Sequence, residues 1–430
     1  MSLGPGGFLG GARSRLLPPS IPFRFFVAAA AFHVLAWAVL LSAGDELADF
    51  AGGVGPPLAA VHLLTLGVLT MTAVGAAFQL LPVATSQPLV ALWPTRVVSW
   101  IYVPGVVAIA SGMAAGNHHW LTAGGLATTL GLVVWTAVVV DNLRRARGMP
   151  LVVSHAWTAV VSLLVLVVLA IVIIANQEHG FLDDPLKAAA LHMIFAAYGF
   201  MTMLAVGFSH LLVPMLALAP VPPIRPGFAV LIAAWAAILL AVLGISADSG
   251  AAIAGAGGVG VAAAAGYVWA MAAALRRRMR KRLDSAFALM AVAWAFLILS
   301  PALGAAAGLG YLGERGAALF GYALLVGWLL SFVLAILQRI APFLASMHAS
   351  RANRPPALVS ALTPRAPLRV HLYCHLAALA AVGAGIAAGQ ELLIRGGALV
   401  GTVGALAFGW FLVAVVVRMH GAAADDGGSD

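Results

Sequence analysis

Twelve histidines are the residues of this chain best suited to chemistry, because imidazole binds heme iron and copper and titrates near neutral pH. His33, His62 and His192 lie inside long apolar runs, where an ionisable group marks a functional position. His62 stands roughly 8 Å into its run at ~1.5 Å per residue, His192 at a similar depth, and His33 deeper. These three are the candidate cofactor ligands. His192 and His210 are eighteen residues apart, five whole helical turns, so they share a face but stand roughly 27 Å apart. One centre cannot use both, which predicts two layers of histidines. In the second layer His371, Cys374 and His375 fall at i, i+3 and i+4 of one helix, where two imidazoles and a thiol could hold copper or zinc. His210 could join them, or join His155. The competing reading of the 371–375 segment is an interfacial patch that faces lipid headgroups. His118, His119, His179, His348 and His420 lie in or beside loops and are expected to be solvated.

The elements that position these groups are set by composition. Of 430 residues 63% are apolar and 9% charged, a balance that requires a bilayer as solvent and makes the chain an integral, all-α polytopic membrane protein. Twelve runs are long enough to span: 22–43, 57–81, 97–115, 121–141, 152–175, 186–215, 227–246, 250–275, 285–309, 317–343, 371–389 and 393–418. They form one transmembrane domain between a Gly/Pro-rich N-terminal tail (1–21) and a short polar C-terminal tail (419–430). The formal net charge of +9 does not point to nucleic acid, because the basic residues cluster in alternate loops. Arg144, Arg145 and Arg147 follow span 4, Arg276 to Arg282 follow span 8, and Arg339, Arg351, Arg354, Arg365 and Arg369 flank the loop after span 10. With Arg13, Arg15 and Arg24 before or at span 1, the positive-inside rule places both termini in the cytoplasm of a bacterial-type inner membrane. The single cysteine excludes an internal disulfide and any four-thiolate cluster. No carboxylate lies within a span except near the ends, as with Asp141 and Asp284, which argues against a proton pump.

Three spans carry the same punctuation. Gly67 to Pro82, Gly199 to Pro214 and Gly327 to Pro342 each run fifteen steps from glycine to proline, with a small residue (Gly75, Gly207, Ala335) seven before the proline. They are spans 2, 6 and 10, so the chain divides into three four-helix units, near 22–141, 152–275 and 285–418. The alternative is that glycine and proline are simply common in membrane helices.

Three four-helix arcs with specialised second, sixth and tenth spans resemble the heme–copper oxidase subunit I superfamily. The segment from His62, HLLTLGVLTMTAVGAAFQLLP, is similar to the second span of divergent members of that group. The resemblance implies that His62 is an axial ligand of a low-spin heme, b-type, with copper as a further cofactor. It also implies work in electron transfer or nitric oxide and oxygen chemistry, with a partner subunit carrying a cytochrome or cupredoxin domain. The chain departs from the pattern: neither His192 nor His210 precedes a Pro-Glu-Val-Tyr stretch, span 7 lacks paired histidines, and span 10 lacks His-x-His. An oxidoreductase subunit is expected rather than a complete terminal oxidase. A second resemblance is to the NnrS family of twelve-span heme and copper proteins, without its tryptophan–histidine–histidine–glutamate signature. Different in class are a histidine-lined copper or solute transporter and a membrane anchor for a larger complex.

Overall fold

The computed structural model describes residues 16–349 and 357–424, with side chains to 421. Arg13, Arg15, Arg351 and Arg354, with most of the expected N-terminal tail and residues 425–430 of the C-terminal one, lie outside the described residues. Among the described residues the regular secondary structure is helical, and twelve helices are long and apolar enough to cross a membrane. They are span 1 (Ser20–Ser42), span 2 (Pro56–Ala84), span 3 (Trp93–Ala115), span 4 (His118–Arg144), span 5 (Pro150–His179) and span 6 (Pro185–Ala217). The second half holds span 7 (Ile224–Ser246), span 8 (Gly250–Arg276), span 9 (Ser285–Gly308), span 10 (Gly316–Ala349), span 11 (Arg365–Ala388) and span 12 (Glu391–Gly421). The chain is a polytopic all-α membrane protein. With an even number of crossings, spans 1 and 12 open and close on one face, here the terminal face, and the opposite one is the far face.

Spans 2, 6 and 10 form the inner ring. Their apolar windows are 67%, 89% and 78% buried, against at most 50% in every other span. Each changes from α to π winding at one place, over Leu63–Thr70, Ile194–Thr202 and Ala323–Leu330, and each π segment contains the glycine that opens the repeated pattern. The prolines Pro82, Pro214 and Pro342 sit inside the helices rather than ending them. A proline in the last turns forfeits one backbone bond, which neighbouring helices and local adjustment offset within a membrane bundle.

The repeated glycines are needed for close approach. A Cβ on Gly67 would lie 2.7 Å from the Phe32 ring of span 1, and one on Gly199 would lie 2.5 Å from the Ser162 hydroxyl of span 5. On Gly327 it would collide with the Phe296 ring of span 9. In each unit the first span therefore presses a side chain onto the glycine of the second. Because lipid is as apolar as the helix faces, such packing, rather than hydrophobic exclusion, holds the inner ring to the outer one.

Spans 3 and 4, 7 and 8, and 11 and 12 are tight antiparallel hairpins closed by one turn geometry. The N–H groups of Asn117, Ser249 and Gln390 donate to the carbonyls of Gly112, Gly244 and Gly385, at 2.8, 2.9 and 2.8 Å. The preceding residue is left-handed in all three, Gly116 (φ 63°), Asp248 (φ 51°) and Gly389 (φ 64°). This is the Schellman arrangement, which satisfies carbonyls left free at a helix end. Asn117 and Ser249 then cap the next helix by accepting from Trp120 N–H (3.1 Å) and Ala252 N–H (3.3 Å). In each hairpin the first glycine faces the backbone of a residue nine further on, Leu121, Ile253 or Ile394. That spacing is present in the sequence and is a second repeat that the Gly-to-Pro pattern does not contain.

The axis between the three inner spans is filled. Trp328 donates from Nε1 to Thr202 Oγ1 at 2.9 Å, and Thr70, at the position in span 2 that matches Thr202, directs its hydroxyl at Met201 Sδ, 3.9 Å away. Gly67→Leu is expected to destabilise the fold by overpacking against Phe32, by about 1–3 kcal/mol or more. Gly258→Ala, where a Cβ meets nothing within 4 Å, should leave stability within about 0.5 kcal/mol of the parent. Thermal unfolding of the detergent-solubilised proteins compares the two.

Candidate functional site: two buried histidine groups

Span geometry sorts the intramembrane histidines into one group near the terminal face, a second reaching mid-membrane, and His62 with His192 towards the far face. Towards the far face, His62 donates from Nδ1 to its own helix at Leu58 O (3.0 Å), and His192 donates to Leu166 O of span 5 (3.1 Å). A neutral imidazole with Nδ1–H so engaged presents its Nε2 lone pair, the form a heme or metal ligand takes. Both rings are half-buried.

The first group near the terminal face is His155 of span 5 and His210 of span 6. Their ring centroids are 5.6 Å apart with planes inclined at 38°. His155 donates from Nδ1 to Leu151 O (2.9 Å) and His210 from Nδ1 to Val206 O (2.8 Å), and neither Nε2 is engaged in a hydrogen bond among the described residues. The pairing depends on the small residue of the repeat, since a Cβ on Gly207 would stand 2.6 Å from His155 Cβ. At the matching position of unit one, Gly75 meets Phe25 instead, so the shared packing device carries an imidazole in only one copy. Tyr267 of span 8 lies beside His210, with centroids 6.0 Å apart, and donates to Ser209 Oγ at 2.8 Å.

His155 and Tyr267 also line a cavity of about 400 Å³ beneath spans 7 and 8. Its walls are alanine, glycine and branched aliphatic side chains with Tyr198, Thr202 and Met203, and its other end reaches the exposed residues Gly313 and Glu314 of the loop between spans 9 and 10. The cavity therefore links His155 to the far face along an almost wholly apolar path. Glycines 257, 260, 304 and 308 are among its lining residues, and at each a Cβ would meet a neighbouring side chain at 2.5, 2.9, 2.9 and 3.1 Å, so they mark close helix packing around the cavity.

The second group joins span 1 to span 11. His33, His371 and His375 are all buried, with His33 and His371 centroids 6.1 Å apart and His371 and His375 centroids 5.6 Å apart. Trp37 donates from Nε1 to His33 Nε2 (3.0 Å), so the ring proton of His33 sits on Nδ1, which finds no partner. His371 is the complement: Nδ1–H donates to Gly404 O (3.1 Å), and its buried Nε2 lone pair is unpartnered. The Ser331 hydroxyl donates to Val326 O at 3.0 Å, so it accepts from His375 Nε2–H at 2.8 Å. Ser331 reaches that carbonyl five residues back because the π segment ends there.

The structure thus regroups the residues. The set His371, Cys374, His375 and His210 is not brought together, because His210 is on the other side of the inner ring with His155. Cys374 is half-buried against Gly404, while His375 Nε2 is taken by Ser331. His33 stands with span 11 and not with His62 and His192. Among the described residues no three His, Cys, Asp or Glu side chains converge tightly enough to hold a metal ion. Helical periodicity could place each imidazole at a depth and on a face, but Trp37, Ser331 and Gly404, which set the protonated nitrogens, come from other turns or spans. Searches against family models and against curated proteins find no match to this chain.

Replacing Ser331 by alanine leaves His375 Nε2–H buried without an acceptor, which costs about 1–3 kcal/mol. Thermal unfolding of Ser331→Ala should show that loss, and Ser331→Thr, which keeps the hydroxyl, should recover most of it.

Proposed function

We propose that this protein is a redox-active membrane protein that binds copper, and heme at His62, through imidazoles, and that it handles a small apolar substrate such as nitric oxide or dioxygen. The observation that carries the reading is the His155–His210 pair, whose His155 lines an apolar cavity. Two imidazoles that share one ion through Nε2 at ~2.0–2.1 Å hold their ring centroids about 5–6 Å apart. The separation of 5.6 Å lies in that range. A porphyrin between two axial imidazoles needs more room, so the pair suits an ion and not a heme.

The charge of the ion follows from the surroundings. Among the described residues no carboxylate or thiolate stands with this pair, so a monovalent ion costs less to desolvate than a divalent one, and cuprous copper is the imidazole-binding ion of that charge. Met203, which lines the same cavity, offers a soft thioether nearby. Nitric oxide and dioxygen are apolar and move readily through apolar surroundings, which makes the cavity a route for such a substrate and a barrier to ions.

At the far-face layer His62, with His192, would be the residue to hold a heme: both have Nδ1–H held by a carbonyl and, among the described residues, Nε2 without a hydrogen bond. When bound, heme supplies one-electron transfer. The residues' own part is to fix the imidazole tautomer and to keep water from the ring. The arginines in the loops after spans 4 and 8 sit at the terminal face and support a cytoplasmic location for it. A cytochrome or cupredoxin subunit docking at the far face is the electron partner this reading implies.

Protein purified from heme- and copper-replete cells is expected to show a Soret band that His62→Ala removes. It should also carry about one copper per chain, which His155→Ala/His210→Ala removes while leaving the Soret band in place. Absorption spectra and elemental analysis read both. Absence of heme from the parent protein would sink the heme assignment, and copper unchanged in the double variant would sink the pair.

A further inference from the structure

A groove at the terminal face, between spans 1 and 3, has the charge and shape of a lipid site. Arg24 lies in the second turn of span 1 and Arg96 in the first turn of span 3, and both line the groove with Ser99 and Trp100. Arginine near a helix N-terminus opposes the helix dipole, which favours anions there. Neither helix has an acidic residue in its first turn, and among the described residues neither arginine pairs with a carboxylate. Two guanidinium groups and two helix N-termini thus face one groove without a counter-charge among the described residues.

The groove is also organised. Arg24 Nε donates to Ser20 O at 2.7 Å and Nη1 to Ser99 Oγ at 3.2 Å, and Ser99 in turn donates to Arg96 O at 2.8 Å. Arg24 is therefore half-buried and pinned, while Arg96 is exposed and free to close over a ligand. From this polar end the lining turns apolar, through Ala28, Val103 and Pro104, along the membrane-facing side of the bundle. Trp100 stands 72% exposed beside it and Trp93, about two turns nearer the surface, 66% exposed, the positions where indole rings meet lipid headgroups.

We propose that this groove binds the phosphate of an anionic phospholipid, with Arg24 and Arg96 as its ligands and an acyl chain along Val103 and Pro104. A basic pocket between membrane helices at the headgroup level is the arrangement that selects anionic lipids. The apolar extension is what separates such a lipid from free phosphate.

The test is native mass spectrometry of the full chain in detergent with phosphatidylglycerol or phosphatidylcholine of identical acyl chains. The parent protein should retain the anionic lipid about tenfold better. R24Q/R96Q should bring the ratio to near one, and R24K/R96K should keep most of it. Equal retention by the parent overturns the proposal. So does a preference that survives in R24Q/R96Q, because the basic run Arg276 to Arg282 is untouched there and would be its source. Displacement of the lipid by equimolar inorganic phosphate would also overturn it, showing a site for phosphate alone. If the double variant does not fold, R96Q, which alters an exposed side chain without a hydrogen-bond partner, must still lower the ratio about threefold.

Discussion

Within a hydrocarbon layer a polar atom finds its partner in the protein or goes without one, and the histidine arrangement follows from that constraint. His62, His155, His192, His210 and His371 each place Nδ1–H on a backbone carbonyl, three of them four residues back in their own helix. The bond secures the neutral ring and leaves the other nitrogen as a lone pair. A side chain that satisfies itself this way is inexpensive to bury, and it is also oriented for a metal. The same economy explains why Trp37 and Ser331 matter: each occupies one imidazole nitrogen, leaving only His371 Nε2 open in the span 1 and span 11 group.

Packing without a hydrophobic drive is the second constraint, and glycine meets it. Gly67, Gly199 and Gly327 admit a side chain from the preceding span, while Gly112, Gly244 and Gly385 admit the backbone of the following one. These two devices recur in all three units. The inner ring is thereby held at a fixed distance, its axis is closed by Trp328 and Thr202, and the space left over is lateral, under spans 7 and 8, where small residues accumulate. The π segments put the wider winding at the same level in each inner span. π turns inside α-helices are frequent at functional positions, and here Ser331, at the end of one, reaches both a π-spaced carbonyl and His375.

A departure from the repeat places the imidazole pair. The first spans of units one and two each offer a residue to the inner helix at the second small position, Phe25 against Gly75 and His155 against Gly207. A shared scaffold with one altered copy gives a site whose position is set by packing that unit one also uses.

Hydropathy alone located the twelve spans to within a few residues at most ends, because a bilayer admits few arrangements of long apolar runs and their charged flanks. The largest misjudgements were the ends marked by proline and by arginine, as in span 10, which continues past Pro342, and span 11, which begins at Arg365. The Gly-to-Pro spacing was legible too, since it is a local pattern repeated at one period. Depth of each histidine was likewise readable from its distance to the span ends. Which histidines meet was not: His210 faces His155 and not His371, and His33 faces His371 and not His62, because partners across spans depend on helix rotation and packing order, which have no local code. Protonation is further still from sequence, as it rests on Trp37, Gly404 and Ser331 arriving from other turns and other helices. Composition and period therefore determined the membrane architecture and its repeats, and only the tertiary structure decided which imidazoles have a free nitrogen and what lies in front of it.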